Sequence, residues 1–289
     1  RRVLFRSKSL AAGVEADFHR IQFTPDLLPA DLTGSDIYHP EDGSFRFNHG
    51  PLFHNLILAD EINRAPAKVQ SALLESMEER QVTIGSTSHP LPDLFLVMAT
   101  QNPIEQEGTY PLPEAQLDRF LLHVRIGYPD RAASKQILAL SRQETLDSLE
   151  QTTTVITEQL TQQQLFNARR AVMALHLAES VEDYIIELVE ATRNPQAYGE
   201  PLSRWLQWGA SPRGAIAIER AARATAWLNE RDFVTPEDVQ QVAPDALRHR
   251  ILLSYEAAAD GITPQGCMEE RSEERRVGKE CRSRWSPYH

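Results

Sequence analysis

The run Leu56-Ile57-Leu58-Ala59-Asp60-Glu61 constrains this chain more than any other stretch. Four apolar residues in a row show no alternation of faces, so a strand formed there must be covered on both sides, as strands of parallel sheets are. The run then ends abruptly in two adjacent carboxylates. In open parallel sheets the carboxyl ends of the strands face the ligand crevice, which makes Asp60 and Glu61 a candidate site. A plain strand end or helix start is the commoner fate of so short a pattern, and the surrounding sequence has to decide.

That surrounding sequence alternates. From Phe18 to about Tyr128, strands are predicted at Phe18–Phe23, Asn55–Ala59, Leu94–Thr100 and Leu121–Ile126. A helix is predicted over Ala67–Arg80, with Val69, Leu73, Leu74 and Met77 on one face. Alternating strand and helix implies a parallel α/β sheet. After Pro129 the pattern is helical, over residues 131–144, 157–176, 180–193, 212–230 and 235–253, interrupted only around Asn194–Ser203. Thr235-Pro236-Glu237-Asp238 is a clear start signal, a Thr cap followed by Pro and early acids. The expected organisation is an α/β core over 8–128, an all-α domain over 129–262 and a tail over 263–289. Gln81–Asp93 reads as a hairpin, and Thr24–Gly50 is too long and polar for a simple connection.

Residues 1–7 (RRVLFRS) and 271–289 (RSEERRVGKECRSRWSPYH) resemble translated sequencing adapters and are set aside from fold reasoning. Without them the charged residues fall from 30 basic and 41 acidic to 21 and 38, a net charge of −17. Such an acidic body does not attract nucleic-acid backbones without a local basic patch. Only Cys267 remains outside the adapter-like strings, which excludes a disulfide or Cys-rich zinc site in the rest and suits a reducing cytoplasm. No long apolar run indicates a membrane-spanning segment. The His residues lack metal-ligand spacing, and no G-x-S-x-G elbow or dinucleotide fingerprint occurs.

Three further features follow in order. The strand Leu94–Thr100 ends in Gln101-Asn102-Pro103, where a polar tip could orient water but is more simply a turn. Leu117-Asp118-Arg119-Phe120 closes a short helix, and such Asp-Arg neighbours are usually surface ion pairs. Ser211-Pro212-Arg213-Gly214 opens a later helix as a Ser cap with Pro in the first turn.

Each feature is weak alone, but their order and spacing resemble the MoxR family of AAA+ ATPases across nearly all of residues 8–256. The matching stretches are IQFTPDLLPADLTG (21–34), GPLFHNLILADEINRAPAKVQSALLESMEERQVTIG (50–85), LVMATQNPIEQEGTYPLPEAQLDRFLL (96–122) and GASPRGAIAI (209–218). The resemblance implies a P-loop AAA+ core followed by a helical lid, and an ATPase acting chaperone-like on protein complexes. It makes Asp60 and Glu61 a Walker B pair, with Asp60 for Mg²⁺ and Glu61 as catalytic base. It makes Asn102 sensor 1, Arg119 the arginine finger and Arg213 sensor 2. ATP and Mg²⁺ follow as cofactors. A homo-oligomeric ring, usually a hexamer, follows as the assembly, with a von Willebrand A-domain partner and a client complex. The hairpins at 24–50 and 81–93 project in this family toward a central channel or a client, or serve as passive ribbons.

One departure is serious. No G-x-x-x-x-G-K-[ST] loop occurs anywhere in the 289 residues. Lys8-Ser9 imitates its last two positions, but too few residues separate it from Phe18 for the helix that must follow such a loop. Residues 8–12 read instead as the end of that helix, and the expectation is that this chain holds ATP poorly. Two alternatives stay open: a helicase-like ring motor on nucleic acid, and a non-catalytic scaffold that only donates Arg119. Against the first, residues 81–93 carry no Lys or Arg and 24–50 only Arg46.

Overall fold

The structure, a computed structural model, describes residues 7, 9–41, 43–102, 108–149, 159–198, 200–263 and 266. The adapter-like strings (Ser7 apart), Lys8, Cys267 and the first residues of the helix expected at 157–176 lie outside the described residues. The chain divides into two compact units, Arg1–Leu112 with Arg125–Phe166, and Pro113–Val124 with Asn167–His289.

The first unit begins with helical residues 9–12, which lead into β1 (Phe18–Gln22). A short helix, α1 (Pro29–Thr33), and an antiparallel hairpin, β2 (Gly34–His39) with β3 (Ser44–His49), fill the long polar insertion. Gly34 closes the base of that hairpin with φ +91°, and a Cβ there would sit 2.1 Å from the Asn48 carbonyl oxygen. Next come β4 (Leu56–Asp60), α2 (Ala67–Glu79), the hairpin β5 (Gln81–Ile84) with β6 (Thr87–Pro90), and β7 (Leu96–Ala99). The two strands flanking β4 are β1 and β7, both parallel to it, with Gln22 opposite Asp60 and Ala59 opposite Ala99. Leu56, Ile57, Leu58 and Ala59 are all buried, as an unbroken apolar strand covered on both faces requires. Helix α2 packs Val69, Leu73 and Leu74 inward, and the predicted fourth position, Met77, is only half-buried.

In chain order the helices continue with α3 (Glu114–Leu117) in the second unit and α4 (Arg131–Leu149) in the first. Helix α5 (Gln162–Ala174) crosses the division. The second unit then runs through α6 (Glu179–Arg193), α7 (Glu200–Trp205), β8 (Leu206–Trp208), α8 (Pro212–Leu228), α9 (Pro236–Leu247), β9 (Leu252–Leu253) and α10 (Tyr255–Ala259). Its core joins Val181, Ile185 and Val189 of α6, Ala217, Ile218, Ala222 and Ala226 of α8, and Val239, Ala243 and Leu247 of α9. Thr235 caps α9 as its sequence predicts, in a reciprocal box with Asp238. The unit is not wholly helical, because β8 pairs antiparallel with β9. The interval Asn194–Ser203 also holds a 3-10 turn and the start of α7.

Two expectations fail in the same place. Leu121–Ile126 forms no strand, and the helix expected through residue 253 stops at Leu247. Three consecutive basic residues explain the first failure. Arg248 Nη1 donates to the His123 carbonyl (2.8 Å), and Arg250 donates to the carbonyls of Asp118 (3.0 Å), Phe120 (2.6 Å) and Leu121 (3.2 Å). His249 Nε2 lies 3.1 Å from the Phe120 carbonyl, and the His123 amide donates to Asp245. Backbone groups that a sheet ladder would use are thereby engaged with the end of α9. Beyond Arg250 the chain is extended, and its Leu252 and Leu253 are taken by β8.

His249 is 8% exposed, and its Nε2 faces a carbonyl that can only accept. Burial first, and the neighbouring Arg250 charge second, lower its pKa from 6.5 to about 4, with the Phe120 carbonyl opposing. The fold therefore favours the neutral ring. As pH falls, the unfolded chain takes up the proton first. The stabilisation is complete above about 6.5 and is lost as pH drops toward 4, by up to about 3 kcal/mol. Urea unfolding from pH 7.5 to 4.5 should show this loss, and His249→Gln, which keeps a donor, should remove that component. Identical pH slopes in the two proteins would contradict it.

Candidate active site

Asp60 and Glu61 are brought together by three elements. Asp60 ends β4, and its side chain is 22% exposed. Its Oδ1 accepts from the Thr100 hydroxyl (2.6 Å), and its Oδ2 accepts from Arg20 Nη2 (2.6 Å) and Nε (3.1 Å) on β1. Burial opposes the charge on Asp60. The hydrogen bonds from Thr100 and Arg20, with the Arg20 charge, outweigh it and hold the carboxyl below its ordinary value. Asp60 is therefore ionised at neutral pH.

Glu61 takes a left-handed backbone, φ 57° and ψ 50°, a conformation that a residue with a Cβ adopts at a cost of roughly 1–2 kcal/mol. Its own surroundings impose it. The Glu61 amide donates to the Thr100 hydroxyl (2.8 Å), and the Ile62 amide donates to the Thr100 carbonyl (3.0 Å). The Glu61 carboxylate accepts from Gln22 Nε2 (3.0 Å) and Arg64 Nη1 (3.1 Å). Strain held this way gathers at functional positions. Behind the turn, Gln70 is fully buried and donates to the carbonyls of Ile62, Ala65 and Tyr110 at 3.0–3.2 Å. Asn102 lies two residues beyond Thr100, half-buried, on the loop leaving β7.

Arg119 and Arg213 belong to the second unit. Arg119 follows α3 and is exposed. Arg213 sits in the first turn of α8, whose Ser211 cap accepts from the Arg213 amide (3.1 Å). Between them in contacts stands Asp118, which accepts from Ser211 Oγ (2.7 Å) and Arg250 Nε (2.8 Å) and lies 3.7 Å from Arg213 Nη1. Gly209 lets the chain pass Thr192 before this cap, since a Cβ there would come within 2.4 Å of the Thr192 carbonyl.

The sequence reading missed Arg20, Gln22, Thr100, Gln70, Asp118 and Arg250 as parts of these clusters. One signal was present for the first pair. Arg20 and Gln22 alternate with Ile21 and Phe23, so strand geometry puts both on one face beside the carboxylate strand.

The donor set suits a metal–nucleotide complex on its carboxylate side. An ionised Asp at a strand tip is a hard oxygen ligand, and Mg²⁺ typically takes one or two carboxylates plus phosphate oxygens. Among the described residues no cluster of three or more His, Cys, Asp or Glu forms a self-sufficient metal cage.

Comparison with known proteins agrees with this chemistry. The family model described as "ATPase family associated with various cellular activities (AAA)" matches residues 4–122, and that of the AAA lid domain matches 203–271. The chain is 45% identical over 263 residues to the uncharacterized protein YeaC of Bacillus subtilis (strain 168), spanning 91% of this chain and 78% of that one. It is also 45% identical over 259 residues to chaperone MoxR1 of Mycobacterium tuberculosis, spanning 89% and 67%. A crystal structure of a "putative ATPase" from Cytophaga hutchinsonii superposes with a TM-score of 0.80 at 48% identity, covering 91% of this chain and 78% of that one. The parallel-sheet core, the helical lid and these relatives together place the chain in the MoxR family of AAA+ ATPases.

Proposed function

We propose that this chain carries the hydrolytic side of an ATPase site and works in a cytoplasmic ring, a hexamer, that remodels or matures protein complexes. The observation that carries it is the Asp60–Glu61 strand tip, ionised at Asp60 and held in a strained turn by Thr100. Asp60 would hold Mg²⁺, which when bound neutralises charge on the phosphate oxygens. Glu61 takes a proton from the attacking water as its oxygen bonds to the γ-phosphorus and the bond to the ADP oxygen breaks. Asn102 aligns that water. Arg119, exposed on its unit, stabilises charge in a neighbouring subunit's transition state. Arg213 reads the nucleotide state.

The chaperone reading is supported by the name of MoxR1 and by the acidic body of the chain. A von Willebrand A-domain protein and a client complex are the proposed partners. Hairpins β2–β3 and β5–β6, with Arg46 as their single Lys or Arg, suit a protein surface better than a phosphate backbone. Among the described residues no helix is long and apolar enough to cross a membrane.

The 289-residue chain has no phosphate loop to supply backbone amides and a Lys to the β- and γ-phosphates. Isothermal titration of this chain with Mg-ATP should therefore give a Kd weaker than about 100 μM, that is, under roughly 5.5 kcal/mol of binding. Micromolar affinity would refute it. In a version extended upstream with the phosphate loop of a MoxR relative, Glu61→Gln should bind ATP and lose at least about 100-fold in turnover. Undiminished turnover would remove Glu61 as the base.

A further inference from the structure

Arg250 is a buried and heavily engaged cation of the second unit. Its side chain is 2% exposed, and its guanidinium makes five hydrogen bonds. Nε donates to Asp118 Oδ1 (2.8 Å), Nη1 to the carbonyls of Leu121 (3.2 Å) and Ala246, and Nη2 to those of Asp118 (3.0 Å) and Phe120 (2.6 Å). A guanidinium has five N–H bonds in a fixed fork, and the number of contacts here matches that capacity. Three of the four carbonyls it grips belong to Asp118, Phe120 and Leu121, close to Arg119 in the chain. Arg119's own side chain is exposed.

The same grip reaches Arg213. Asp118 gives Oδ1 to Arg250 and Oδ2 to Ser211, the cap of α8, with Arg213 Nη1 3.7 Å from that same Oδ2. A single carboxylate thus faces two guanidinium groups, one buried and one half-exposed. Helix α8 is in turn locked to α9 through the apolar core, where a Cβ at Gly214 would lie 3.1 Å from Leu247. The backbone carrying Arg119 and the helix start carrying Arg213 are therefore tied to one buried ion pair.

We propose that Arg250 is a positioning residue: through Asp118 and the 118–121 carbonyls it fixes Arg119 relative to Arg213, so that the two cations move as one body. Geometry favours this over a purely structural anchor. An anchor for the lid core would grip helix backbone or core-facing groups, whereas four of the five bonds go to three residues beside Arg119, namely Asp118, Phe120 and Leu121. Lysine offers a point charge with three donors and no fork, so it restores charge but cannot span those carbonyls. The proposal rests on the reading of Arg119 as a donor to a neighbouring active site, and its test avoids hydrolysis altogether.

The test uses the 289-residue chain with Cys267→Ser and Cys281→Ser, a nitroxide attached at Arg119→Cys, and a control nitroxide at exposed Glu182→Cys. With Arg250 intact the label at 119 should be restricted. Arg250→Lys should shorten its rotational correlation time roughly threefold or more, while the control label at 182 keeps its spectrum. Asp118→Asn, which preserves shape, should produce a smaller change of the same sign, and it decides the matter should Arg250→Lys not fold. Unchanged mobility at 119 in a folded variant, or equal loosening at 119 and 182, would overturn the proposal. If Arg119 itself proves dispensable for turnover in the loop-bearing version, the reading of Arg119 fails and the clamp stands. A label that ignores Arg250 sinks the clamp alone.

Discussion

One hydroxyl group holds the candidate site in its working shape. Thr100 donates to Asp60 and accepts from the Glu61 amide, so a single side chain just beyond β7 holds the Asp60 carboxylate and the Glu61 backbone. Without that pair of bonds, the left-handed turn at Glu61 would lose the partner that compensates it. Its placement depends in turn on parallel pairing, which sets Ala59 beside Ala99 and so brings the next residues of both strands to the same edge. Arg20 and Gln22 complete the arrangement from β1 on the other side, one for each carboxylate. The result is a pair of acids oriented by neighbours, with Asp60 held ionised by Thr100 and Arg20.

The second unit repeats this economy with opposite charge. Asp118 collects Ser211, Arg213 and Arg250, and the basic triplet at 248–250 binds the backbone from Asp118 to His123. A neutral His249 is the natural middle member. Two guanidinium groups flank it in sequence, and a third positive charge in that buried space would be poorly solvated.

The central strand, the long amphipathic helix α2 and the hairpin β5–β6 were legible because each rests on local chemistry, whereas the hairpin within Thr24–Gly50 came only with the family pattern. An unbroken apolar run, a 3.6-residue stripe and a Gly-containing turn are visible in the chain itself. The strand tip alone marked Asp60 and Glu61 as a candidate site, while the roles proposed for them and for Asn102, Arg119 and Arg213 come only from the family pattern, since each alone resembles an ordinary strand end, turn, cap or ion pair. The hidden parts are those whose meaning lies in distant partners. Thr100 looks like the last residue of a strand, Gln70 like a solvated helix position, and Arg248-His249-Arg250 like a basic helix end. The strand expected at Leu121–Ile126 failed for the same reason. Its apolar alternation is real, but nothing local reveals that residues more than a hundred positions later take its carbonyls.

The most direct test of this account is ATP turnover by Thr100→Val in the phosphate-loop-bearing version, with Thr100→Ser beside it. Valine keeps the shape and removes both hydrogen bonds. The account predicts nearly unchanged ATP affinity, a fall in turnover of about 100-fold or more, and substantial recovery with serine. Full turnover by Thr100→Val would contradict the claim that this hydroxyl holds Asp60 and Glu61 in their hydrolytic arrangement.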